Sequence, residues 1–201
     1  MADVALFHHV QGLTEGVEAL AMQLANADHT VHTPDLFDGL TFDSIEEGVA
    51  HVELIGLGEF VDLGTAVAED LPPGTVYAGI SLGVLPAQRL AQTCEGAGGA
   101  VLLEACLPAN HFAEAWPSSV PVQIHGMEGD PFFAGDGDLD AARALVELVG
   151  EPTAALYTYP GERHLFVDSS LPSYEPEATA LVIERMLEFL AHIDGSQGNG
   201  D

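Results

Sequence analysis

A serine between glycines, then an acid, then a histidine occur along this chain in an order that suits covalent acyl transfer. Ser81 stands in the run Gly79-Ile80-Ser81-Leu82-Gly83. A β-branched and aromatic stretch, Thr75-Val76-Tyr77-Ala78, precedes it, and a helix-patterned stretch over 85–92 follows. A strand that turns sharply into a helix presents such a serine at the turn, and the crowded backbone there requires small neighbours. A serine hydroxyl is a weak nucleophile until a base takes its proton and an acid orients that base. Both partners follow on loops after apolar runs. Pro121-Val122-Gln123-Ile124-His125 leads into Gly126-Met127-Glu128-Gly129-Asp130, and Leu156-Tyr157-Thr158-Tyr159 leads into Pro160-Gly161-Glu162-Arg163-His164. Loops at the carboxyl ends of parallel strands converge, so Asp130 and His164 are expected to meet Ser81. Glu128 competes with Asp130 from two residues away. Each residue also has a plain structural reading: a Gly/Ser turn, a turn acid before proline, a loop histidine with a structural hydrogen bond. Their joint order favours the nucleophile, base and acid.

The elements that must hold these loops are legible as an alternation of short apolar runs with helical periodicity, the pattern of an α/β sheet. Strands are expected at 4–8, 30–33, 75–80, 99–105, 120–125 and 154–159. Helices are expected at 14–26, 44–70 (broken by Gly56 and Gly58), 82–93, 139–149 and 176–193. Several strands are continuous apolar runs, as for parallel strands covered on both faces. The expected architecture is a minimal α/β-hydrolase fold, a doubly wound and mainly parallel sheet of about six to seven strands with helices on both faces. One domain is expected over 1–194, followed by a polar, glycine-rich and frayed tail over 195–201.

Charge narrows the partners. The only cations are Arg89, Arg143, Arg163 and Arg185, against 32 acids, for a net charge of −28. Phosphate backbones need a cationic surface, which excludes nucleic acid as a partner; an anionic bilayer is repelled for the same reason. With 47% hydrophobic residues the chain is not a disordered acidic segment. The absence of lysine favours adaptation to concentrated salt over plain solubility by charge excess. No basic segment precedes a long apolar one at the start, and no run of about 18 apolar residues occurs, so neither a signal peptide nor a membrane span is expected. Cys94 and Cys106 lack metal spacing and read as reduced thiols in a cytoplasmic protein.

Five segments together resemble the dienelactone hydrolase family. They are Phe7-His8-His9-Val10-Gln11-Gly12-Leu13, Pro34-Asp35-Leu36-Phe37-Asp38-Gly39, the Ser81 turn, His125-Gly126 with Asp130, and Tyr159-Pro160-Gly161 with His164-Leu165-Phe166. The resemblance implies Ser81 as nucleophile, His164 as base and Asp130 as orienting acid, with an oxyanion hole from the backbone N–H groups of Val10 and Leu82. The best-known members differ at three places. They carry cysteine at the nucleophile, a glutamate where His9 stands, and a carboxylate-binding arginine where Asp168 stands. His9, Arg163 and Asp168 are candidates for residues that back the catalytic three or surround the pocket. Asp168 there is expected to repel a carboxylate and favour a neutral ester.

Other patterns carry less. Asp136, Asp138, Asp140 and Glu147 echo a calcium loop, but Ala141 stands where that loop needs glycine, and acids at a helix start are favoured by its dipole. His29 and His32 lie three apart in a short strand, on opposite faces, which does not make a zinc pair. Trp116, Phe132 and Phe133 either line an acyl pocket or pack in the core. The resulting expectation is a serine-dependent hydrolase of small carboxylic esters or lactones that uses no metal or organic cofactor. A non-catalytic binding protein of the same fold, or an acyltransferase with the same three residues, remain as alternatives.

Overall fold

The computed structural model describes residues 1–197. Among these, six strands form one sheet: β1 (Asp3–Phe7), β2 (Thr30–His32), β3 (Val76–Ile80), β4 (Gly99–Leu103), β5 (Val122–Met127) and β6 (Ala154–Tyr159). Their order is β2-β1-β3-β4-β5-β6, and every neighbouring pair is parallel. The helices are α1 (Glu15–Ala25), α2 (Ile45–Ile55), α3 (Leu57–Ala66), α4 (Val84–Thr93), α5 (Asp138–Val149) and α6 (Pro176–Gln197). The long helical pattern over 44–70 is indeed broken, at Gly56, which adopts a φ of 93°; Gly58 stays inside α3. The helix α6 continues through 195–197, where the tail was expected to begin, and 198–201 lie outside the described residues. No helix among the described residues is long and apolar enough to cross a membrane.

Strand alternation separates two apolar layers. Val4, Leu6, Val76, Ala78, Ile80, Val101 and Leu103 face α1 and α6. Ala5, Phe7 and Tyr77 face the layer of α2, α3 and α4, while Ala100, Leu102, Val122 and Ile124 pack with α4 and α5. Both faces are therefore covered, which is why the central strands read as unbroken apolar runs. The chain winds from β1 outward to β2 and then back to β3. That reversal leaves a crevice at the carboxyl ends of β1 and β3. The loop after β1 and the Ser81 turn after β3 both open into it.

The turn after β3 is as tight as its glycines require. A Cβ on Gly79 lies 2.2 Å from the carbonyl oxygen of Gly83, and one on Gly83 lies 2.4 Å from that of Phe7. Gly83→Ala is accordingly expected to lower stability by about 1–3 kcal/mol, the usual range for overpacking, and thermal unfolding of the variant measures it.

Candidate active site

Ser81 sits at the carboxyl end of β3 with φ at 50°, a left-handed conformation uncommon for a residue with a side chain. A short 3₁₀ turn, Ser81–Gly83, follows and passes directly into α4. This geometry lifts the hydroxyl out of the sheet. The Ser81 Oγ lies 2.8 Å from His164 Nε2, and His164 Nδ1 lies 2.7 Å from Asp130 Oδ2. With Nδ1–H donated to the Asp130 carboxylate, Nε2 is left free to accept from the serine hydroxyl. Asp130 is buried, and its other oxygen accepts from the Phe132 backbone N–H at 2.9 Å. Glu128, by contrast, is exposed and accepts from the Thr158 hydroxyl. Of the two acids in that loop, Asp130 meets the histidine.

The electrostatics set His164 apart from the buried imidazoles His8 and His125. Burial drives His8 down to about 4 and His125 down to about 3, so both are neutral. Burial also pushes His164 downward, but the Asp130 hydrogen bond and the Glu104, Asp130 and Asp138 charges outweigh it, and its pKa is raised above 6.5. Cys106 offers no competing nucleophile, since burial and the Asp138 charge push its thiol up to about 12.

Glu104 is a site residue that the sequence reading missed. It follows β4 with φ at 64°, is fully buried, and lies with Oε2 3.6 Å from His164 Nδ1. The same oxygen accepts from the backbone N–H groups of Leu165 and Phe166. Burial raises its pKa to about 7, against the opposing pull of His164. Ligand atoms of Glu104, Asp130 and His164 lie within 4.8 Å of one another, a donor set of the kind a metal ion uses. Here Nδ1 is hydrogen-bonded to Asp130 at 2.7 Å, while Glu104 stands 3.6 Å away and accepts instead from the Leu165 and Phe166 backbone.

Ser81 and His164 open on a cavity of about 260 Å³ lined also by Leu82, Leu85, Glu104, Leu107, Phe132, Asp136 and Asp138. The Phe132 ring lies 4.6 Å from that of His164 and is partly exposed. Phe133 and Trp116, the other aromatic candidates, are buried in the core beside α5. On the other side of Leu82 lies an apolar groove of about 400 Å³, lined by Val10, Val49, Val52, Leu57 and Leu82 among others. Val10 and Leu82 thus border the same space. Gly83 packs against the carbonyls of Phe7 and His8, which brings the two loops together.

Three residues expected around the pocket do something else. Asp168 is buried away from the cavity. It accepts from the His9 imidazole at 2.7 Å, the Thr14 hydroxyl at 2.5 Å and the Ser170 hydroxyl at 2.6 Å. Burial alone would raise its pKa, yet these bonds hold it down at about 2. The expected repulsion of substrate carboxylates by Asp168 is therefore corrected: its charge is consumed in tying the loop after β6 to the β1 loop and the start of α1. His9, fully buried, is part of that tie; its Nδ1 accepts from the Gln11 N–H, so Nε2 carries the proton given to Asp168. Arg163 turns outward, pairing with Glu175 at 3.1 Å and donating to the carbonyls of Pro172 and Tyr174. Neighbours of His164 in sequence need not share its direction.

A model of the dienelactone hydrolase family matches residues 75–194. The fold is similar to that of a dienelactone hydrolase-like promiscuous phosphotriesterase from metagenomic libraries, with a TM-score of 0.71 and 15% identity over 96% of this chain and 87% of that one. A Klebsiella pneumoniae protein described as a candidate dienelactone hydrolase gives a TM-score of 0.71 at 18% identity, covering 95% of this chain and 87% of that one. Thermogutta terrifontis esterase 2, solved as its tabun-phosphoramylated form, gives 0.60 at 14% identity, covering 96% and 83%. At such identities the likeness carries the fold. No curated protein matches the chain in sequence.

Proposed function

The chain belongs to the dienelactone hydrolase family, and on that premise we propose that it is a serine-dependent hydrolase of carboxylic esters or lactones. The observation that carries the proposal is the pair of hydrogen bonds from Ser81 to His164 and from His164 to Asp130, at 2.8 and 2.7 Å. In this reading Ser81 Oγ attacks the ester carbonyl while His164 Nε2 takes its proton. The developing oxyanion is met by the backbone N–H groups of Leu82, where the chain enters a helix whose first N–H groups lack internal partners, and of Val10 in the loop after β1. His164 then returns the proton to the departing alcohol, and water activated by the same nitrogen releases the acid. The chain and water account for every proton and electron pair.

A neutral substrate fits best. Among the residues lining the Ser81 cavity, Glu104, Asp136 and Asp138 are acids and none is a lysine or arginine. A carboxylate-bearing ester meets like charge there. This replaces Asp168 as the reason to expect discrimination against anionic substrates. A fluorophosphonate probe and p-nitrophenyl acetate test the function together. Labelling at Ser81 with ester turnover is the expected result, whereas an unlabelled, inert protein assigns the fold to binding instead.

The acid limb of the rate profile provides a second check. His164 accepts the serine proton only when neutral, so kcat/KM is low at acid pH and rises as the imidazole deprotonates. Because its pKa is raised, the midpoint is expected above the ordinary 6.5. A midpoint below that value contradicts the pairing with Asp130 and Glu104.

A further inference from the structure

We propose that Glu104 is a positioning residue for His164, holding the loop that carries the base and placing a second carboxylate near its Nδ1, beside the Asp130 that accepts the proton. The inference rests on the hydrolase reading and adds a fourth residue to it. A carboxylate buried at the end of an apolar strand is costly to keep unless something compensates it. Two backbone N–H groups, from Leu165 and Phe166, compensate one oxygen. The other, Oε1, has no hydrogen-bond partner among the described residues. A neutral side chain with one carbonyl oxygen serves the two N–H groups equally well, so the clamp alone does not explain an acid. What a charge adds is its approach to Nδ1, 3.6 Å away against 2.7 Å for Asp130. The left-handed φ of Glu104 turns the chain at this point, and strain of this kind concentrates at functional sites. The groups facing the imidazole are Glu104 after β4, Asp130 after β5 and Asp138 at the start of α5. All three are acids, so removing any one of them destabilises the imidazolium.

Glu104→Gln separates clamp from carboxyl, because it keeps an acceptor for the two N–H groups and removes the ionisable group. The His164 titration, followed by NMR, is expected to move to lower pH, with the acid limb of kcat/KM moving in step. An unchanged titration in the folded variant overturns the proposal. The NMR reading needs no turnover, so an inert wild-type protein strikes the hydrolase reading and leaves this result distinct. Asp130→Asn gives an independent decision if Glu104→Gln does not fold. Loss of the orienting acid costs about 10⁴ in kcat in a trypsin-type triad. A smaller loss is expected here, with the remainder removed in the double variant; a full loss in Asp130→Asn alone overturns the role.

A separate observation concerns the substrate. We infer that the apolar groove between α2, the start of α3 and Leu82 seats the hydrocarbon chain of the ester. Val10, Val49, Val52, Leu57 and Leu82 form its walls, with Glu53 as a charged lining residue. Among the described residues, half of the exposed large apolar ones on this very acidic protein, Leu40, Val49, Leu54, Leu57 and Leu63, fall within 40–63, and two of them, Val49 and Leu57, line the groove. Exposed apolar patches of this kind mark binding surfaces. Leu82 stands between this groove and the Ser81 cavity and lines both. The groove also borders Val10, whose N–H is assigned to the oxyanion. A carbonyl seated there has an acidic space on one side and an apolar one on the other.

With p-nitrophenyl acetate, butyrate and octanoate as probes, kcat/KM is expected to rise by about tenfold or more from the shortest to the longest, since each methylene in an apolar pocket contributes. Val49→Glu and Leu57→Glu, both at exposed helix positions, are expected to lower the octanoate-to-acetate ratio by a similar factor. A flat or falling chain-length profile with acetate turned over, or a ratio unchanged in both variants, overturns the groove assignment. A dimeric wild type whose variants are monomeric with an unchanged ratio assigns the patch to self-association. Absence of acetate turnover in the wild type strikes the hydrolase reading itself.

Discussion

Ser81→Ala is expected to reduce kcat for an activated ester by about 10⁶, the scale on which loss of the serine nucleophile acts in subtilisin. The change removes one oxygen and leaves His164 and Asp130 in place, so what disappears is the atom that forms the acyl intermediate. Fluorophosphonate labelling should vanish with it. Melting temperature should change little, because alanine is no larger than serine and meets the same left-handed φ of 50°. The comparison with the thiols is informative. Cys94 is half-buried and Cys106 is buried with a raised pKa, so alkylation of the folded protein should leave turnover intact. Retention of more than a few per cent of wild-type activity in Ser81→Ala, or inactivation by alkylation, assigns the chemistry to another group.

Why the serine, the acid and the histidine could be read from the chain is a matter of local physics. The Ser81 turn carries its own signature because two backbone approaches, at Gly79 and Gly83, exclude any side chain. Asp130 and His164 follow continuous apolar runs, and parallel strands place such ends on one edge of the sheet. Element boundaries were legible to within a few residues for the same reason, since glycine and apolar periodicity mark them locally. Contacts between distant segments left no comparable trace. His9 and Asp168 stand 159 residues apart, and nothing in either neighbourhood announces a buried pair. Asp168 was expected at the pocket only because the resembled family carries a carboxylate-binding arginine there, whereas its loop turns inward instead. Glu104 did leave a signal. It is the lone acid in Gly99-Ala100-Val101-Leu102-Leu103-Glu104-Ala105-Cys106, and an acid ending a fully buried parallel strand calls for a partner. Reading the strand as continuing to 105 concealed it, because a strand residue points to a face whereas Glu104 lies past the last ladder pair.

The melting temperature is expected to rise steeply between about 0.05 and 1 M KCl, the range over which the Debye length falls to about 3 Å. The driving quantity is the net charge of −28, and the structure shows how little of it is offset. Arg89 pairs with Asp62 at 2.6 Å, Arg143 with Asp140 at 3.1 Å and Arg163 with Glu175 at 3.1 Å. Arg185 lies over the Tyr157 ring at 4.3 Å and donates to the Tyr159 hydroxyl. All four arginines are thus engaged, three of them in exposed pairs of a kind worth about 0–1 kcal/mol each. Four arginines cannot neutralise 32 acids. At about 0.01 M salt the Debye length is roughly 30 Å, comparable to the width of a small domain, so each acid feels many others. Molar salt confines the repulsion to immediate neighbours. Against a total stability of about 5–15 kcal/mol, a small term summed over many pairs decides whether the chain stays folded. The site should follow the fold rather than oppose it, because the Ser81–His164–Asp130 contacts are short and largely buried, where added ions screen little. Turnover of a neutral ester is therefore expected to persist at molar KCl. A melting temperature flat across the range, or loss of activity at high salt with the fold intact, rules out adaptation to concentrated salt and leaves the acidity as a device for solubility.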